Sequence, residues 1–155
     1  MAGKVLSSFK NGFPGEVTRS IDAIIESIVS GEASAAIAFG APVALDGGKV
    51  VNVSASKTDI IGIAVRSIKT ENTYGGNDPK YNAKEMVDVL KRGTVAVLVS
   101  NGSPAAGGTV HIVKATGAIR TTQDSTNTVE MTGWKFKGGK DDNNVAEIVL
   151  TERAY

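Results

Sequence analysis

The chain contains one imidazole, His111, in the stretch "GTVHIV". A hydrolase needs a base within reach of its nucleophile, and His111 is the only histidine available for that task. With Val110 and Ile112 on either side, period-2 alternation points His111 away from the core and predicts a solvent-facing side chain. Ser103 is close in sequence, in "SNGSPAAGG", but a proline directly after the serine spells a turn and not a nucleophile elbow. Carboxylates are scattered, apart from Asp141 and Asp142, which precede Asn143 and Asn144. Calcium loops alternate their oxygen ligands and end in a bidentate glutamate, whereas "GGKDDNN" has neither feature and reads as a solvated turn. Asp46 and Asp59 read as a turn residue and a strand-start residue.

Phosphate cradles need glycine amides converging at a helix start, with a lysine at a set distance. "YGGNDPK" and "WKFKGGK" contain the ingredients without the order. In "GWKFKGGK", Trp134 and Phe136 alternate with Lys135 and Lys137. That pattern suits stacking on single-stranded nucleic acid, but equally a strand with its aromatics in the core and its lysines in water. A small β-barrel nucleic-acid-binding module therefore stands as the alternative function. No cluster of titratable residues suggests a catalytic cleft, a metal site or a cofactor, so the expectation is an interaction or structural protein and not an enzyme.

The elements that would position these residues are mostly strands. The 155 residues include 18 glycines, with 5% aromatics and recurrent valine, isoleucine and threonine, a balance that favours short strands and tight turns. The formal net charge is +1, with both signs interspersed. That gives no basic footprint for phosphate neutralisation and no attraction to an anionic membrane. Cysteine is absent, which removes disulfides, thiolate metal sites and cysteine nucleophiles. No apolar run approaches the ~20 residues of a spanning helix, and the first residues lack a signal-peptide core. A soluble protein made in the cytoplasm is expected.

"MAGKVLSSFKNGFPGEVTRS" has no strand or helix period and is punctuated by Gly12, Pro14 and Gly15. It reads as an extended arm, residues 1–20, in front of a single β-rich domain, residues 21–155. In "SIDAIIESIVSGE", Ile21, Ile24, Ile25, Ile28 and Val29 form a helical stripe between a possible cap at Ser20 and a stop at Gly31. Their β-branching disfavours a helix, and period 2 also fits, so the residues leave both states open with helix slightly preferred. From residue 36 the reading is β. "AIAFGAPVAL" and "KVVNVSA" are joined by "DGG" as a hairpin, and "DIIGIAVRSI" carries Gly62 as an expected bulge or close backbone approach. Residues 70–83 form a polar loop with Tyr74 and Tyr81 beside its turn. "MVDVLKRGTVAVLVSNG" and "GTVHIVKATGAIRT" are further strands, and both contain a Gly-Thr-Val start. After a soft linker at residues 122–129, "EMTGWKFKGG" and "NNVAEIVLTE" make a final hairpin.

"NGFPGEVTRS", "IAFGAPVAL" with "DGGKVVNV", "IIGIAVRS", "LKRGTVAVLVSNG…AGGTVHIV" and "GWKFKGG…NNVAEIVL" together resemble the structural cement family of tailed bacteriophages, over nearly the whole chain. The resemblance implies a mainly β fold, a single small β-barrel or β-sandwich, and tips residues 21–29 toward a strand. It implies a capsid decoration protein that binds the outside of the assembled shell and bridges major capsid protein subunits, with no cofactor and no reaction. The implied partners are the major capsid protein and other copies of the chain, with no membrane and no nucleic acid; the implied location is the virion surface, after assembly in the host cytoplasm. On that reading the arm supplies Phe9, Phe13 and Pro14 as apolar anchors and Arg19 as a polar contact. The loop adds Tyr74 and Tyr81, tyrosine being favoured at interfaces.

Overall fold

The computed structural model describes residues 10–67 and 80–151, and those residues contain strands and turns with no helix. Eleven strands follow in chain order: β1 (Val17–Val29), β2 (Ile37–Ala38), β3 (Pro42–Asp46), β4 (Lys49–Asn52), β5 (Ile60–Ala64), β6 (Lys80–Tyr81), β7 (Met86–Asn101), β8 (Thr109–Val113), β9 (Ile119–Arg120), β10 (Thr128–Phe136) and β11 (Val145–Leu150). The segment whose periodicity leaned toward a helix is β1. Its β-branched residues pair antiparallel with β7, and that pairing satisfies the backbone in the conformation those side chains prefer.

The 16-residue β7 organises the rest. Its second half pairs with β11 on one edge and with β9 on the other. The ring closes through β11–β10, β10–β8 and β8–β9, giving a small five-stranded barrel. Within it pack Val95, Val97, Val110, Ile112, Trp134, Phe136, Ile148 and Leu150. The first half of β7 pairs with β1 and β5, and β5 continues to β3 and β4. A parallel bridge from Ser30 to Val50 ties the end of β1 to β4, so this second sheet curls back on itself. A second core lies here, with Ile37, Val43, Val50, Ile61, Tyr81, Val87 and Val89. The two-stranded β2–β6 ribbon contributes Ile37 and Tyr81 to it.

The hairpin expected at "DGG" joins β3 to β4, with Asp46 opposite Lys49 and both intervening glycines at positive φ. Gly62 is the expected irregularity. Val43 pairs with Gly62 and Ala44 with Ile60, so Ile61 is the extra residue of a bulge. A Cβ on Gly62 would fall inside the Leu90 carbonyl oxygen and 2.7 Å from Cγ1 of Val89. The Gly-Thr-Val echo marks two different things. Gly108 precedes β8, whereas Gly93 lies inside β7, where the strand changes neighbours.

Candidate functional site

Sequence reasoning set aside most chemistry-bearing residues, and the structure assigns each a place. Trp134 and Phe136 are buried in the barrel core, while Lys135 donates to Thr109 Oγ1 and Lys137 pairs with Glu147 at 3.4 Å. That strand therefore presents no stacking surface. His111 faces away from the core, as alternation requires, since Val110 and Ile112 belong to it. It is nevertheless buried, contrary to the expected solvent exposure. Its cross-strand neighbours Arg120 and Glu130 share its face, and long side chains in such a position cover a shorter one.

Asp141 corrects the reading of "GGKDDNN" as a solvated turn. The residue is buried, and its carboxylate accepts from the backbone N–H groups of Asn11, Asn143 and Val145 at 2.9–3.0 Å. Burial opposes its charge, but these three donors together with nearby Lys10 hold the carboxyl below the ordinary aspartate range. The effect is structural. Asn11 also donates its amide to Val145 and Gly139, so Asp141 is the centre of a clasp that fixes residues 10–12 to the β10–β11 loop.

The segment after that clasp leads to the candidate contact residues. "FPGE" is a turn with Pro14 and Gly15 at its centre: Glu16 N–H donates to the Phe13 carbonyl at 3.0 Å, and the Glu16 carboxylate accepts from Phe13 N–H. Gly15 has φ +84°, as the third position of a type II turn demands. Its N–H donates to Ala96 O of β7 and its carbonyl accepts from Arg66 N–H. Gly40 of "AFGAPV" packs directly on it. A Cβ on Gly15 would lie 2.8 Å from Gly40 N, and one on Gly40 would lie 2.7 Å from Gly15 N. Two motifs separated in sequence thus meet backbone to backbone, which only glycine permits.

This contact lifts Phe13 to the surface. Phe13 is 65% exposed, and the Arg66 guanidinium stands 5.3 Å from its ring centroid and 5.8 Å from that of Phe39. Such a stacked cation orders an exposed ring without hiding it. Pro14 is half-buried at the rim of an apolar cleft of about 360 Å³, shared with Phe39, Pro42, Leu98 and Ile119. Arg19 is exposed on β1, next to an irregular stretch between Arg19 and Ile24 where pairing to β7 lapses. Sequence reasoning missed the remainder of this face. Ile21 is 92% exposed, and Ile25, Val29 and Met86 are exposed as well. Val29 pairs with Met86 in register, so they share an outward face with Ile25. The signal was present in the alternation of β1, but it was spent on deciding helix against strand.

Tyr81 is a core residue and not a surface contact. Its hydroxyl donates to Val65 O at 2.7 Å, its ring meets Phe39 edge-on at 5.1 Å, and burial raises its pKa to about 12. The β2–β6 pairing turns it inward over the second core, which its polar sequence neighbours did not suggest. Phe9 and Tyr74 lie outside the described residues.

The strand-built body thus displays ordered apolar groups at its surface. The family model described as "Structural cement protein (E217 gp24/Pam3 gp6)" matches residues 4–151. The chain belongs to this structural cement protein family, and its role is that of a capsid-associated structural component of a bacteriophage virion. It is also similar in fold to a chain in the structure of the capsid of Myoviridae phage XM1. The two share 21% identity with a TM-score of 0.77, over 97% of this chain and 98% of the other. No curated protein matches the sequence significantly.

Proposed function

We propose that the protein binds the outer surface of the assembled capsid and bridges neighbouring major capsid protein subunits, without catalysing a reaction. The supporting observation is the gathering of exposed apolar side chains on one continuous segment, from Phe13 in the leading turn through Ile21, Ile25 and Val29 of β1. Exposed large apolar groups at this density mark contact surfaces when they are held on a rigid frame. β1 pairs with β7 along one edge, and its opposite edge offers backbone groups that an extended segment of a capsid subunit can pair by strand addition.

Each junction needs ~800 Å² per partner to be stable, and repetition over the lattice multiplies the effect. The test is co-sedimentation with undecorated capsids. Wild-type protein should saturate the particles, and Phe13→Ala and Ile25→Lys should each lower occupancy at limiting protein while melting normally. Saturation by a doubly substituted protein with unchanged affinity would rule out this face.

A further inference from the structure

We infer that copies of this chain associate through a knob and a socket: Ile21 of one copy enters the apolar cleft beside Leu98 of another. The knob follows from the register of β1. Arg19 pairs with Thr94 and Ile24 with Arg92, so residues 20–23 of β1 stand opposite the single residue Gly93 of β7. The surplus bows out of the ladder as a bulge. Its base rests on β7, since a Cβ on Gly93 would lie 3.1 Å from the Ala23 Cα. Its crown is Ser20, Ile21 and Asp22, all exposed, with Ile21 at 92%. A β-branched side chain on an anchored bulge has little rotamer freedom left to lose on burial.

The socket offers Pro14, Phe39, Pro42, Leu98 and Ile119 and no charged side chain. Leu98 is 53% exposed. The two hydroxyls in the lining are already engaged: Ser100 donates to Ile119 O at 2.9 Å, and Thr116 Oγ1 accepts from Ala118 N–H at 3.3 Å. An aliphatic side chain can therefore displace water from the cleft without stranding a polar group. Charge completes the match. Asp22 is the charged residue next to Ile21, and the exposed Arg66 guanidinium stands 5.8 Å from the ring centroid of Phe39, one wall of the cleft. Neither Asp22 nor Arg66 has an ion-pair partner among the described residues. Seating Ile21 thus brings opposite charges together at the rim. No copy can fill its own cleft, because the bulge stands at Gly93 and Leu98 lies about 17 Å further along the same strand. A projection and a matching pocket at separate places on one molecule make a contact between copies. The inference goes beyond capsid binding, and its test contains no capsid, so the two readings fail separately.

The chain has no cysteine, so single-cysteine variants report cleanly on the contact. Under mild oxidation, a mixture of Ile21→Cys and Leu98→Cys proteins should form the mixed disulfide dimer at least about tenfold faster than either variant forms its own dimer. Equal rates in the mixture and in the separate variants would overturn the inference. Sedimentation across a wide range of protein concentration gives the second reading. Wild-type protein should self-associate, and Ile21→Asp and Leu98→Asp should each weaken that association roughly tenfold or more while melting normally, the loss expected for one buried aliphatic side chain. A wild-type protein that stays monomeric throughout, or variants that associate as it does, would also overturn it.

Discussion

At Gly62 the atom closest to a would-be side chain is the carbonyl oxygen of Leu90 on the neighbouring strand. Backbone cannot retreat as a flexible side chain can, so Gly62→Ala should destabilise the protein by about 3 kcal/mol in urea unfolding, a typical cost of overpacking. Asp141 carries a pH signature. Its carboxyl is held below the ordinary range in the fold, so the stability it adds is complete above the unfolded value near 3.9. That contribution is lost as the pH falls through the folded value. Asp141→Ala should cost about 2 kcal/mol at pH 7 for the acceptors removed, and the gap to wild type should close in acid. Tyr81 behaves oppositely. Its phenol is raised to about 12 by burial, so its contribution is complete below pH ~10 and declines as the pH climbs through that raised value. Tyr81→Phe should cost about 1 kcal/mol near neutrality and flatten the alkaline limb of a stability–pH curve. Gly62 was legible in the sequence because an interrupted apolar run has few physical causes. Asp141 and Tyr81 were not, because their burial depends on partners 130 and 16 residues away in the chain.

Among the elements, β1 does two jobs that conflict. Its inner contacts hold it to β7, including the pair between Glu26 and the buried Lys91 at 3.1 Å. Its outer side exposes isoleucines that an isolated edge strand would ordinarily replace with charge to avoid unwanted pairing. Ile21→Lys should therefore leave thermal stability within ~0.5 kcal/mol, as expected for a surface position, while reducing capsid occupancy. Equal occupancy of wild type and variant would remove Ile21 from the contact face. The apolar positions of this segment satisfy a helical stripe because five of them fall at suitable spacings, but a stripe does not say what it faces. Its strand state comes from β7, which begins at Met86, 57 residues after its partner Val29, and local periodicity carries no trace of that pairing. The hairpin at Gly47 and Gly48 and the alternation at Trp134–Lys137 were readable because turn chemistry and period 2 act locally.

At the scale of the whole molecule, the described residues form two cores strung on one strand. Since β7 lines both, neither core can lose its packing without unpairing a strand that the other requires. Thermal unfolding should be a single transition with equal calorimetric and van't Hoff enthalpies. Ile148→Ala in the barrel and Val89→Ala in the second core, about 3 and 2 kcal/mol respectively, should both move that one transition and not split it. Two resolved transitions would show independent units. The same arrangement sets a direction for mechanical load. A pull between the β1 face and the far end of the barrel runs lengthwise along β7, whose hydrogen bonds to β1, β5, β9 and β11 lie across that line. Strands drawn past one another in this way must break many bonds together, whereas strands peeled apart lose them one by one. On a pressurised shell, β7 would act as a tie rod, strong along its length and weakest against a sideways peel of β1 from its edge.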